Sequence, residues 1–204
     1  MLIVLSDSDF RSGETALVNQ LFHAGLDLFH IRKYGASEES LLKWVNEISV
    51  EYRSKLVLHH DHEWGKSIGL NRFHYSERDR QKWESENWNG EAQEFTYSTS
   101  VHSVEAYNEL PDHFAYAFLS PVFDSISKTE YKAVEFDLGN RRNKTMRLIG
   151  LGGIQAENVK QVIEMGFDGA ALLGSIWNNP DPINELKLCR DVPYVRDAPN
   201  KLIF

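Results

Sequence analysis

Three stretches of the chain concentrate side chains that can move protons or hold ions. His59-His60-Asp61-His62 sets three imidazoles and a carboxylate within four residues, and His74 and Asp79 follow. Imidazole titrates near neutrality and is a common metal ligand, so the group could serve a metal or act as general acid and base. Neighbouring residues of a strand point to opposite faces, so His59 and His60 cannot both aim at one ion from a regular strand. With Leu58 facing outward, His59 points inward and His60 falls in the following loop. A zinc site of His59, His74 and Asp79 is one arrangement these residue types allow. A second is Mg2+ held by Asp79, with or without Asp61, through a bound pyrophosphate, because Mg2+ needs only one or two carboxylates when phosphates supply the rest. His59, His74 and His102 are the candidate acid–base groups.

The other chemistry-bearing residues suit anions. Gly152-Gly153 and Gly174-Ser175 each follow a short apolar run directly. Glycine lets backbone N–H groups approach an anion closely, and a helix opening at Gly174 would add its positive N-terminal end. Arg32 supplies a planar fork of donors, and Lys128, in a run with Ser125 and Ser127, a point charge.

These residues need a scaffold that brings distant segments to one place. Eight short apolar runs recur along the chain: residues 2–5, 27–31, 56–58, 72–75, 95–98, 114–118, 147–151 and 169–173. Fully buried parallel strands read as continuous apolar runs of this kind. Segments at helical spacing alternate with them. Leu41, Leu42, Val45 and Ile48 form one apolar stripe behind Ser37, a cap residue, and further helices are expected at 13–23, 103–108, 158–165 and 183–189. Eight βα units are the number that closes a (β/α)8 TIM barrel, with a doubly wound open sheet as the competing fold. In a barrel the active site lies at the carboxyl ends of the strands. There the sequence places His30 and Arg32, His59 and His60, His74 and Asp79, Ser100, Ser127 and Lys128, Gly152-Gly153, and Gly174-Ser175. Residues 76–94 read as a loop or irregular helix without a functional assignment, and residues 188–204 as a tail.

Composition sets limits on function. The 204 residues carry 22 Lys and Arg against 30 Asp and Glu, a net charge of −8, which disfavours nucleic-acid or anionic-membrane surfaces as partners. One cysteine, Cys189, excludes an intramolecular disulfide and Cys-based metal frameworks. The apolar runs are far shorter than the ~18 residues of a membrane span, and residues 1–7 lack the pattern of a signal peptide. A compact single domain over residues 1–204, cytoplasmic, acting on small phosphorylated molecules, is the expectation; a homo-oligomer is compatible with it.

The strand ends also carry a resemblance. Phe29-His30-Ile31-Arg32-Lys33-Tyr34 is similar to the Gln-Leu-Arg-Glu-Lys strand end of the thiamine phosphate synthase family, which includes the thiazole tautomerases. Leu58-His59-His60-Asp61 stands where that family has Asn-Asp-Arg. The stretch from Phe73 to Asp79 resembles Val-His-Leu-Gly-Gln-x-Asp, and Ser98-Thr99-Ser100-Val101-His102-Ser103 resembles Gly-x-Ser-x-His-Ser. The run from Ser120-Pro121-Val122-Phe123 to Lys128 is similar to Gly-Pro-Val-Phe-x-Thr-x-Thr-Lys, and Ile149 to Ile154 with Leu173 to Ile176 match the thiazole-phosphate cradle. The resemblance implies a compact barrel that joins an aminopyrimidine pyrophosphate to a thiazole phosphate, releasing pyrophosphate with Mg2+.

It also implies roles. Arg32, Lys128, Ser100 and His59 become catalytic residues. His30, His74, Ser127, Gly152, Gly153, Gly174 and Ser175 bind substrate, and Asp79 and His60 occupy the metal positions. The departures are Tyr34 for the motif lysine and His59-His60 for the Asn-Asp pair. Pro121 stands where the tautomerases carry a catalytic histidine. A thiazole phosphate tautomerase and a non-catalytic thiamine-phosphate binder are the alternative functions.

Overall fold

The computed structural model describes residues 1–87, 94–124 and 133–192. Eight parallel strands close on themselves: β1 (Leu2–Leu5), β2 (Leu28–Ile31), β3 (Leu56–Leu58), β4 (Arg72–Tyr75), β5 (Thr96–Val101), β6 (Phe114–Leu119), β7 (Arg147–Leu151) and β8 (Gly169–Leu172). The strands pair in chain order, and β8 returns to β1 through Leu2 opposite Ala170 and Val4 opposite Leu172. Closure excludes the open doubly wound sheet. The helices are α1 (Glu14–His23), α2 (Glu38–Asn46), α3 (His62–Ser67), α4 (Glu77–Asn87), α5 (Val104–Asn108), α6 (Val159–Glu164), α7 (Gly174–Trp177) and α8 (Pro182–Arg190). No helix among the described residues is long and apolar enough to cross a membrane.

Period-two alternation sorts each strand into two layers. Outward residues such as Leu2, Val4, Phe29, Ile31, Leu56, Leu58, Phe73, Leu148 and Leu172 pack against the helices, as with Leu21, Leu41, Val45 and Val162. Inward residues fill the barrel: Ile3, Leu5, Leu28, Val57, Tyr116, Phe118, Ile149 and Ala171. The strands alternate apolar-in with apolar-out, so they read as unbroken apolar runs. The exceptions are polar inward positions near the carboxyl ends of β2 to β5, where the site sits.

Two expectations need correction. Residues 77–87 form a regular helix, α4, within the stretch expected to be a loop or irregular helix. Its sequence lacks an apolar stripe because one ring does much of the anchoring. Trp83 stacks on Tyr75 at 4.7 Å and packs on Tyr97 at 5.0 Å, while Ser76 accepts from the Asp79 N–H at the helix start. Trp88 lies outside the described residues. At the other end, α8 runs to Arg190 with Cys189 fully buried, so residues 188–190 are packed helix and not tail. Asp181 caps α8 by accepting from Asn184 N–H, with Pro182 in the first turn.

Candidate active site

β2 and β4 each send one histidine into the barrel, and the residue directly after β3 sends a third. His30 lies opposite Val57 and Leu58 opposite Phe73, so one further step sets His59 beside His74. Leu58 is in the outer layer and His59 in the inner, as alternation requires. His30 is fully covered, His74 is 2% exposed and His59 7%. Their rings form one cluster. His30 Nδ1 and His59 Nε2 share a hydrogen bond of 2.8 Å, and His59 stacks on His74 with centroids 4.3 Å apart. Phe118 closes the cluster from within, 4.9 Å from the His30 ring and 5.0 Å from His74.

Each imidazole has a partner for a further nitrogen. His30 Nε2 is 2.6 Å from the Tyr116 hydroxyl, His59 Nδ1 is 3.4 Å from the Tyr34 hydroxyl, and His74 bonds Ser98 Oγ at 2.9 Å and Ser100 Oγ at 3.0 Å. Burial holds all three imidazoles neutral, with the other histidines and Arg32 adding to the effect. His74 is pushed down to about 3, and His30 and His59 well below the usual histidine range. Burial also raises the Tyr116 phenol, which stays protonated as a hydrogen-bonding group.

Tyr116 is the one member of this network that the sequence did not single out. Between Tyr97 opposite Phe114 and Ser98 opposite Tyr116 the register shifts by a residue. This bulge lets Ala115 and Tyr116 both reach the inner layer. Simple alternation from Phe114 would have turned Tyr116 outward. The run from Phe114 to Phe118 is apolar or aromatic throughout, so nothing in it marked the bulge or the inward residue.

Arg32 follows β2 at the rim. It is half-buried, and its backbone N–H donates to Ser6 Oγ at 2.8 Å. Its guanidinium makes no ion pair or hydrogen bond among the described residues. It lies near enough to act electrostatically on His30, His59, His74 and Tyr34. The next residue, Lys33, turns away from the mouth: it is 1% exposed and paired with Glu14 at 2.7 Å. Tyr34 is exposed, and burial of its inner part raises its phenol pKa, with Asp79 as a further cause.

His60 lies in the bend after β3. Its Nδ1 bonds Asp61 Oδ2 at 2.7 Å, and its buried Nε2 has no partner among the described residues. Asp79 sits in the first turn of α4, half exposed, accepting from Ser76 Oγ at 2.6 Å. The metal arrangement of His59, His74 and Asp79 does not form: the third member beside His59 and His74 is His30.

The glycine loops are tightly built. Val122 and Phe123, after β6, donate to the carbonyls of Leu151 and Gly152 at 3.0 and 3.1 Å. Gly153 has φ +62°, and a Cβ there would meet Asp124 O at 2.3 Å, so close packing of the two loops demands glycine. The Ser175 hydroxyl is buried and donates to Ile154 O at 2.8 Å, tying the loop after β8 to the loop after β7. α7 starts at Gly174, so its first N–H groups have no acceptor within the helix. Ser127 and Lys128 lie outside the described residues. The described ends of their segment are joined by the Ala133 N–H donating to Asp124 Oδ1 at 2.6 Å.

Comparison with known proteins agrees with this architecture. A family profile described as thiamine monophosphate synthase matches residues 1–176. The chain is 23% identical over 190 residues to a thiamine-phosphate synthase of Bacillus velezensis, covering 88% of this chain and 84% of that one. It is 26% identical over 187 residues to the Streptococcus suis thiamine-phosphate synthase, covering 86% and 80%. Among solved structures, the thiamine phosphate pyrophosphorylase of Bacteroides thetaiotaomicron superposes with a TM-score of 0.74 at 25% identity, covering 94% and 96%.

Proposed function

The chain belongs to the thiamine monophosphate synthase family, and from that premise we propose that its barrel mouth couples an aminopyrimidine pyrophosphate to a thiazole phosphate. It is a transferase of thiamine biosynthesis, of the thiamine-phosphate synthase type. The observation that carries the reading to this site is Arg32. In a chain of net charge −8 a half-buried guanidinium at the strand ends is left without a carboxylate among the described residues. An anion-binding site needs such a cation, and an arginine fork matches phosphate oxygens.

Arg32 and Lys128 hold the pyrophosphate end. The N–H groups of the Gly152-Gly153 and Gly174-Ser175 loops hold the thiazole phosphate, the Ser175 hydroxyl being spent on the tie to Ile154. Ser127 adds a hydroxyl on the Lys128 segment, and Ser100 lies by the leaving group. His59, next to the rim, is the candidate proton carrier, and His30 and His74 form the floor beneath it. The same reading places the protein in the cytoplasm.

Mg2+ prefers hard oxygen ligands and is commonly held by one or two carboxylates with substrate phosphates completing its shell. Asp79 fits that part, being a half-exposed carboxylate. His60 does not, because imidazole suits later transition metals better than Mg2+. Asp79 would therefore be the protein oxygen of an ion that arrives with the pyrophosphate. When bound, the ion neutralises charge on the leaving group.

The test is turnover of both substrates in the presence of Mg2+, read as pyrophosphate release. Arg32→Ala removes charge-assisted hydrogen bonds of about 1.5–3 kcal/mol, so kcat/KM falls roughly 10- to 150-fold. Absence of turnover in the wild type, or Arg32→Ala matching the wild type, would overturn the reading.

A further inference from the structure

Two of the three clustered histidines, His30 and His59, stand where the resemblance aligns glutamine and asparagine, and coupling chemistry gives no reason for the exchange of amides for imidazoles. Inside the barrel the exchange changes what the floor can bind. Amides are weak metal ligands, whereas neutral imidazole is a strong one for zinc and its neighbours.

We propose that His30, His59 and His74 together bind one divalent transition-metal ion of the zinc, cobalt and iron class. Each offers one ring nitrogen, and these nitrogens all lie within 4.8 Å of one another. They come from neighbouring strands, so their backbone positions are held by the barrel's hydrogen bonds. Zn–N bonds of about 2.0–2.1 Å place two ligand nitrogens of a tetrahedron about 3.4 Å apart. The His30–His59 pair, now at 2.8 Å, has to open by only about half an ångström to admit an ion.

The surroundings fit a ligand set. Histidines that bind metal donate their other N–H to an oxygen, which fixes the tautomer and strengthens the ligand. Such an oxygen is present for every ring: Tyr116 Oη for His30, Tyr34 Oη for His59, and the Ser98 or Ser100 hydroxyl for His74. The rings are already neutral, so an ion displaces few protons. No other group of three His, Cys, Asp or Glu side chains converges in this way among the described residues. Three protein ligands leave a fourth position for water or substrate. Arg32 beside the cluster favours an anion there, since two positive centres need a negative charge between them.

This site is separate from the Mg2+ that would arrive with pyrophosphate; with an ion bound, His59 would serve as a ligand and no longer as a proton carrier, and the test uses no substrate. Chelator-stripped protein is titrated with Co2+ near neutral pH and followed by the visible absorption of four-coordinate cobalt. The expected result is one equivalent bound, displaced by Zn2+ and untouched by a large excess of Mg2+. His30→Gln and His59→Asn, which restore the amides, should each weaken binding at least tenfold. His23→Gln, at an exposed histidine in the last turn of α1 and outside the cluster, should leave it unchanged. Circular dichroism of the variants reports folding, and the wild-type titration stands even if one of them fails to fold. No cobalt band in the wild type, displacement by Mg2+, or undiminished binding in a folded His30→Gln protein would each overturn the proposal.

Discussion

Glu14→Gln is a sharp test of how the fold positions Arg32. Lys33 is enclosed, 1% exposed, with its Nζ donating to Asp9 O at 2.5 Å and to Glu14 Oε1 at 2.7 Å. The second Glu14 oxygen accepts from Trp44 Nε1 at 3.1 Å, which joins α1, β2 and α2 through one carboxylate. Removing that charge leaves a buried ammonium without its counter-ion. Such a loss costs about 3–5 kcal/mol. In a chain of this size each kcal/mol lowers the melting temperature by about 2–4 °C, so the expected fall is about 6–20 °C. The double variant Glu14→Leu/Lys33→Met removes both charges together and should recover most of the loss, because a buried ion pair is often replaceable by apolar groups.

Lys33 also stands directly between Arg32 and Tyr34 in the chain. Loosening it should raise KM for the pyrophosphate substrate in the single variant and restore it largely in the double. Thermal melts and initial-rate kinetics on the three proteins decide the matter. A melting temperature for Glu14→Gln within about 2 °C of the wild type would refute the energetic argument. A double variant no more stable than Glu14→Gln would refute the claim that the uncompensated charge is the cause.

Two further outcomes follow from the buried histidines. Tyr116→Phe deletes the hydroxyl bonded to His30 Nε2 at 2.6 Å and leaves a buried ring nitrogen unpaired, which costs about 1–3 kcal/mol; denaturant unfolding should show a lower midpoint with an unchanged slope, and an unchanged midpoint would contradict the bond. Stability should also fall on acidification. His62, packed between Phe73 and Tyr75, is held down to about 4 by burial, and His74 to about 3, against 6.5 when unfolded. Both favour the neutral form in the fold, so their stabilisation is complete above pH 6.5 and is lost as pH falls below it. Together they remove about 4 kcal/mol between pH 7 and 5; unfolding midpoints that stay level over that range would disprove the assignment.

Much of the fold was legible locally. Apolar runs separated by amphipathic segments mark βα units wherever they occur, because both faces of a barrel strand are buried. The α4 segment was illegible for the opposite reason. Its packing rests largely on Trp83, and one ring leaves no periodicity to read. Rim residues could be placed by the rule that barrel chemistry lies at strand ends, which located Arg32, His59, His74 and the glycine loops. The same rule does not separate Lys33 from Arg32, since both follow β2, yet the Lys33 ammonium turns under the loop to Glu14. Side-chain direction beyond a strand's last residue depends on partners distant in sequence.

By itself, then, the sequence determined the eight-unit barrel, the glycines where two loops come within a Cβ of each other, and the residue types at the mouth. These follow from periodicity and from steric rules acting over a few residues. Which of those side chains meet was decided only by the tertiary structure. Barrel closure set the heights of β2, β3 and β4 so that His30, and not Asp79, joined His59 and His74. A one-residue bulge in β6 brought the Tyr116 hydroxyl against His30. Both are matters of register between paired residues 15 or more positions apart, and no local pattern encodes register.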